Sequence, residues 1–357
     1  MFKYQNSLKY HRHSLIRMQY SIKRRRRRRR KVSLKKNAQT SSDSNFSDKK
    51  PRYKASKEIY APVNFRLNEN LKGCLKFFSE CRVKDNRGWS ERGVSFVSLN
   101  LENVEFIDYE SLSILLAIQR DLRYNGVVIC GILPRDLDCK KFIIDSGFLN
   151  GMRNSKNGEK YNFKSRSKFI SIKGSLKLRV QDQESIDKIC MDVHTYLFNQ
   201  EGELSRIFTI IKEICGNALE YCGKQNNEWC LGVFYEDDKV IYTITDVGQG
   251  ILNSLNVKYH FDVVKKVFGF GLFTNVDILK QAFKKKYGSS TEEVNRNKGL
   301  PSIKSTFEDG FIKNLILLTN DAFLHFEDDS KSRSIPSKIP PFIGTFYKWE
   351  IDKDCKK

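Results

Sequence analysis

The spacing of apolar positions changes several times along the chain, and the changes mark out its elements. From residue 59, APVNFRL (61–67) alternates apolar and polar side chains, as a strand with one buried face does. NENLKGCLKFF (68–78) shifts to the three-and-four spacing of an amphipathic helix. VSFVSLNL (94–101) reads as a buried strand, YESLSILLAIQRDLR (109–123) as a helix and VVICGIL (127–133) as a third strand; a short helical stretch ends near GFL (147–149). Strand and helix alternate, so 59–152 is expected to form one α/β domain. Residues 153–178 are polar and basic, and the linker is placed at 153–176, as a tether or an exposed hairpin.

A second domain is expected over 177–351. Helical spacing runs from about Asp182 to Tyr221, interrupted near Glu201-Gly202. WCLGVFYE (229–236) and KVIYTITD (239–246) alternate as strands, joined by an Asp237-Asp238 turn. Helical stretches follow at about 256–267 and 273–286. Strands close the chain near 312–319, 322–327 and 344–351. Helices first and antiparallel-looking strands afterwards predict an α+β sandwich. There is no internal repeat.

Charge alters the picture at one end only. The net charge is +22, but residues 1–58 hold 20 Lys and Arg against three acids and lack apolar periodicity. Arg24 to Arg30 form an unbroken block whose guanidinium groups repel one another, so a disordered basic arm is expected there. Such an arm suits phosphate backbones or anionic headgroups. The same composition also fits a dispensable extension, and less well a presequence, since seven adjacent arginines make a poor amphipathic helix. The nine cysteines are scattered without a CxxC pair, which points to reduced thiols in a cytoplasmic protein rather than disulfides or a zinc site. The longest apolar runs, LSILLAI (112–118) and NLILLT (314–319), are far shorter than the ~20 residues that cross a bilayer.

Three segments carry candidate chemistry. In IIKEICGNALEY (210–221), Glu213, Asn217 and Glu220 share one helical face. An Asn oxygen there can coordinate Mg²⁺, which prefers hard oxygen ligands. A Glu one turn away can take a proton from the group attacking a terminal phosphate. The bland reading of that face is a solvated polar stripe. In ITDVGQGI (244–251), Asp246 ends a strand where its carboxylate can accept from an adenine amino group. Gly248 and Gly250 let the backbone pass close to base and sugar. In NRNKGLPSIK (295–304), Gly299 and Leu300 open a helix with Pro301 in its first turn. Phosphate would meet backbone N–H groups there, with Lys304 adding charge. FGFGL (268–272) is a rival glycine pair.

In this order the three segments resemble the GHKL superfamily of ATPases, which includes gyrase, MutL and the histidine kinases. Glu213 and Asn217 match its N box, Asp246, Gly248 and Gly250 its DxGxG box, and Gly299-Leu300 a second glycine box. The resemblance implies ATP and Mg²⁺ as ligands, Glu213 as catalytic base and Asn217 as metal ligand. It also implies a lid over 252–298, a Thr345 hydroxyl that helps Asp246 hold adenine, and dimerisation in many relatives. Asn297-Lys298 before Gly299 departs from the family pattern. His194 lies 23 residues before Asn217, on the domain's own first helix, and is expected to be a structural histidine rather than a phosphoacceptor.

VEFIDYESLSILLAIQRDLRYNG (104–126) resembles the STAS domain of anti-sigma factor antagonists through Phe106, Ile107, Asp108 and Leu112. In that family a serine in the strand-to-helix turn is phosphorylated by a GHKL-type kinase. Here Glu110 occupies that place and Ser111 replaces the glycine, with Ser113 close by. Glu110 would then act as a fixed negative charge, or simply favour the positive end of the helix. The expectation is a regulatory protein that binds ATP-Mg²⁺ and uses its STAS-like module to dock or sense a protein partner. ATPase or Ser/Thr kinase-like activity would be compatible with it. The alternatives are a nucleic-acid-associated ATPase clamp using the Arg24–Arg30 arm, and a degenerate ATPase fold kept as a scaffold.

Overall fold

A computed structural model of the chain describes residues 54–90, 94–150, 152–153, 159–173, 178–221, 228–254, 274–284 and 299–357. The basic arm up to residue 53, the helix expected at 256–267 and the glycine pair at 268–272 lie outside the described residues. The arm was expected to run to residue 58, which is too far. Lys54 already bridges Trp89, with N–O distances of 3.1 and 2.8 Å, and strand β1 (Glu58–Tyr60) is in register with residues 98–100.

The first half contains β2 (Asn64–Phe65), α1 (Leu71–Arg82), β3 (Gly88–Trp89), β4 (Ser95–Asn100), β5 (Phe106–Ile107), α2 (Tyr109–Tyr124), β6 (Val127–Ile132) and α3 (Leu137–Asp145). Each helix opens on an Asx cap: Asn70 accepts from Gly73 N, Asp108 from Ser111 N and Asp136 from Cys139 N. β4 is the centre of a mixed sheet, parallel to β1 and β6 and antiparallel to β3. The strand expected over 61–67 shrinks to two residues. Asn64 turns the chain there, accepting from Arg66 N while its carbonyl accepts from Asn70 Nδ2.

The second half contains β7 (Lys168–Lys173), α4 (Val180–Phe198), α5 (Ser205–Tyr221), β8 (Glu228–Tyr235), β9 (Lys239–Asp246), α6 (Ile251–Ser254), α7 (Asn275–Lys284), α8 (Gly299–Glu308), β10 (Lys313–Asn320), β11 (Ala322–His325), β12 (Arg333–Ser334) and β13 (Phe342–Asp352). Among the described residues the strands form one seven-stranded antiparallel sheet, ordered β12-β11-β10-β13-β9-β8-β7. β7 corrects the expected linker. Its Phe169 and Ile170 point to opposite faces and each packs on a different apolar cluster, so a short apolar core between flanking lysines suffices for an edge strand.

The sheet is covered on both faces. Ile186, Ile189 and Val193 of α4, Ile207, Ile210, Ile211 and Ile214 of α5, Phe283 of α7 and Ile303 of α8 form one apolar cluster with Tyr242 and Ile244 of β9 and Tyr347 and Trp349 of β13. Phe346 of β13 and Val247, just past β9, face the other way, into a cluster that includes the apolar residues of α1 and α2. Helix α2 is buried without a break from Ser111 to Ile118. A helix apolar all round has partners on every side, and here one side meets the mixed sheet and the other meets β8 and β9. The two expected domains therefore share a core, and residues 54–357 belong to a single compact unit. No helix among the described residues is long and apolar enough to cross a membrane.

Candidate functional site

Asp246 is the last residue of β9, and alternation along the strand puts it on the face of Tyr242 and Ile244, beneath α4 and α5. Its direct partner across the sheet is Thr345 of β13, which shares the face of Tyr347 and Trp349, and the Thr345 side chain favours the ionised form of Asp246. On the other side Trp229 of β8 is in register with Asp246 and is fully buried. Cys215 of α5 lies within electrostatic range of Asp246, which places that helix over this end of the sheet.

Burial pushes the Asp246 carboxyl up to about 6, against the lowering pull of the Gly248 N–H, the Thr345 hydroxyl and the Arg82 charge. The Gly248 N–H donates to Asp246 Oδ1 at 2.8 Å. A half-buried carboxylate on an apolar wall is suited to accept from an exocyclic amine.

The loop after Asp246 is pinned by two residues that no sequence motif singled out. Asn320, buried at the end of β10, accepts from Leu252 N at 3.0 Å and donates Nδ2 to Gln249 O at 2.9 Å. Thr319 Oγ1 accepts from Ile251 N and donates to Gly344 O, both at 2.9 Å. Gly250 has φ +81°, and a Cβ there would come within 2.4 Å of the Asn320 side chain. Gly344 is as tightly placed, since its Cβ would lie 2.3 Å from the Asp246 carbonyl oxygen. These hydrogen bonds join residues 25 to 71 positions apart, and the pairing of β10 with β13, and of β13 with β9, brings them together.

The remaining residues fall as follows. Glu213 lies on α5, half-buried at the flank of the Ile210–Ile214 stripe. Asn217 is on the same helix, and its side chain lies outside what is described. Gly299 is buried and opens α8, Leu300 packs on the helix-side core, and α8 lies against α5. Lys304 pairs with Glu308 one turn on. His194 is buried, with Nδ1 2.9 Å from the Gln200 carbonyl, as a structural histidine should be. Among the described residues no group of three or more His, Cys, Asp or Glu is placed to hold a metal. A cavity of about 270 Å³ between the start of α1 and residues 333–339 is lined by none of these groups.

No protein-family model and no curated protein matches the chain.

The turn from β5 into α2 is closed off: Ser111, in the place of the glycine, and the nearby Ser113 are both fully buried. Ser113 Oγ donates to Tyr109 O at 2.6 Å and lies 2.7 Å from Thr243 Oγ1 on β9. Tyr109 stacks on Phe234 of β8, with centroids 4.1 Å apart and planes 11° apart. Glu110 lies 3.7 Å from Lys348 Nζ of β13, and the same lysine pairs with Glu350. Burial alone would raise the Glu350 carboxyl. Lys348, Asn314 and Lys239 outweigh it and hold Glu350 below the ordinary range. Asp108, which caps α2 and also accepts from Leu67 N, is raised well above the usual carboxylate range by burial and by Glu110 beside it.

Proposed function

We propose that the chain binds ATP with Mg²⁺ between α5 and the β9–β13 end of the large sheet. The observation that carries this reading is the Asp246–Thr345 pair on the helix-facing side of the sheet, with the loop that follows locked by Thr319 and Asn320. Asp246 accepts from the purine amino group, Thr345 supports it, and the N–H groups opening α8 face phosphate. Mg²⁺ supplies charge neutralisation at the phosphate oxygens. Asn217 is assigned as its protein ligand and Glu213 as the base for any water or hydroxyl that attacks. The eight free cysteines among the described residues accord with a cytoplasmic regulatory protein.

The STAS-like layer has its part in this reading. Its strand-to-helix turn, at the place that STAS domains of anti-sigma factor antagonists offer to a kinase, is closed here against the chain's own sheet through Tyr109, Glu110 and Ser113. The module therefore regulates from within, and whatever docks on it uses another face.

Calorimetric titration of the full chain with ATP, with and without Mg²⁺ and with GTP as control, tests the proposal. A fragment starting at residue 153 is unsuitable, because removing α2 would bare one face of the sheet. Magnesium-dependent binding of ATP over GTP is expected, weakened by Asp246→Asn and made largely independent of magnesium by Asn217→Ala. Glu213→Ala should spare binding and abolish any turnover. Absence of ATP binding to the folded chain, or binding indifferent to both Asn217→Ala and Asp246→Asn, would sink the reading.

A further inference from the structure

β6 is an edge strand: among the described residues it pairs with β4 alone. Its sequence, VVICGI, has no charge, no proline and no bulge, the devices by which natural proteins protect a free edge. Side chains of Val127 and Ile129 turn inward. Val128, Cys130 and Ile132 turn outward on the other face, where Val128 is 47% and Ile132 48% exposed and Cys130 is exposed as well. The open edge and the open apolar face therefore coincide.

We propose that β6 is a homodimer interface, in which two copies of this chain pair antiparallel through their β6 edges about a two-fold axis at Cys130. A strand edge is its own complement under such an axis, since each copy offers the donors and acceptors the other needs. Centring the axis on residue 130 sets Val128 opposite Ile132 of the second copy, and Cys130 opposite its equivalent. All three outward side chains then have partners, whereas an axis on 129 or 131 would centre on inward-facing positions. The strand ends match too. The end carrying Arg123 and Tyr124 of the last turn of α2, the latter 67% exposed, meets the end carrying Asp136 and Leu137 at the start of α3, the latter 76% exposed, while Arg135 beside them is paired with Glu102 of its own copy. Basic faces acidic there, and the two exposed apolar side chains cover each other. The uncharged strand itself brings no like charges across the axis. A second copy is preferred to an unrelated peptide because the flanking charges and apolar residues complement themselves.

The pairing has a chemical signature. Residues directly opposite in an antiparallel pair have Cα atoms about 4.5–5.5 Å apart, inside the range a disulfide spans. Diamide should therefore join the two Cys130 thiols as a disulfide while it takes up their two hydrogens. The other cysteines among the described residues are buried.

The full chain, at a salt concentration high enough to silence its basic arm, is examined by sedimentation velocity and by diamide cross-linking. A dimer is expected, with a cross-link that disappears in Cys130→Ser. The double variant Val128→Lys/Ile132→Lys should raise the dimer dissociation constant by about 100-fold or more, since it sets ammonium groups across the axis. Val180→Lys, a change at an exposed apolar residue on α4, should leave the dimer intact. A chain that is monomeric at every concentration would overturn the proposal. So would a dimer that ignores the lysine pair and forms no Cys130 disulfide, which would place association elsewhere.

Discussion

The Ser113 hydroxyl of α2 lies 2.7 Å from the Thr243 hydroxyl of β9, in a fully buried interface between the two halves of the chain. Ser113 already gives its proton to Tyr109 O, so Thr243 is the donor of the pair. That assignment makes the two truncations unequal. Ser113→Ala strands a buried O–H and should cost about 1–3 kcal/mol, Thr243→Val should cost less, and the double variant should recover part of the loss. Urea unfolding of the four proteins measures this. A larger loss for Thr243→Val would reverse the assigned direction of the bond.

Lys348 stands between two acids, Glu110 and Glu350, and is itself almost fully buried. Lys348→Met should therefore destabilise by about 3–5 kcal/mol, because it leaves carboxylates without their central counter-charge. Glu110→Gln should cost much less, since Glu350 still satisfies the lysine. Equal losses in the two variants, read from thermal or urea unfolding, would contradict this network.

Asp246 links the site to pH. A carboxyl raised to about 6 when folded, from an ordinary value of 3.8, binds more protons in the native than in the unfolded state between those values. Its contribution to stability is complete below the unfolded value and is lost as pH rises through about 6. The ligand-free chain should show this decline between pH 4 and 7, and Asp246→Asn should flatten it. ATP affinity should run the opposite way, rising as the carboxylate forms, because the anion is the better acceptor. Affinity that holds constant from pH 5 to 8 would remove Asp246 from the proposed contact.

Gly250→Ala meets Asn320 at 2.4 Å on a backbone with φ +81°. It should destabilise by about 1–3 kcal/mol and weaken ATP more than tenfold. Asn320→Ala makes room for that methyl group but frees Gln249 O and Leu252 N. It too should weaken ATP, and the double variant should be more stable than Gly250→Ala alone. Differential scanning calorimetry and nucleotide titration separate the two effects.

Much of this architecture was legible in the sequence, and the part that was not has physical reasons. The break near Glu201-Gly202 appears as the gap between α4 and α5, and the Gly299-Leu300-Pro301 signal opens α8. Asp246 ends β9, as the apolar alternation before it implied. β7 escaped notice because its apolar core is four residues long and sits among lysines, so composition outweighed period. The run at 112–118 reads as helix, but no local pattern says that both of its sides are covered. That depends on a sheet whose strands begin more than 50 residues later. Thr319 and Asn320 look like an ordinary strand end, and their role exists only because β10 lies two strands from β9.

The unbroken burial of α2 from Ser111 to Ile118 also bears on how the chain can vary. Side-chain volume along those two turns is bounded from opposite directions, so a residue that grows toward one sheet cannot be relieved by shifting toward the other. Substitutions tolerated there must come paired with changes on β6, β8 or β9. Divergence in this stretch would show as coordinated replacement rather than independent drift.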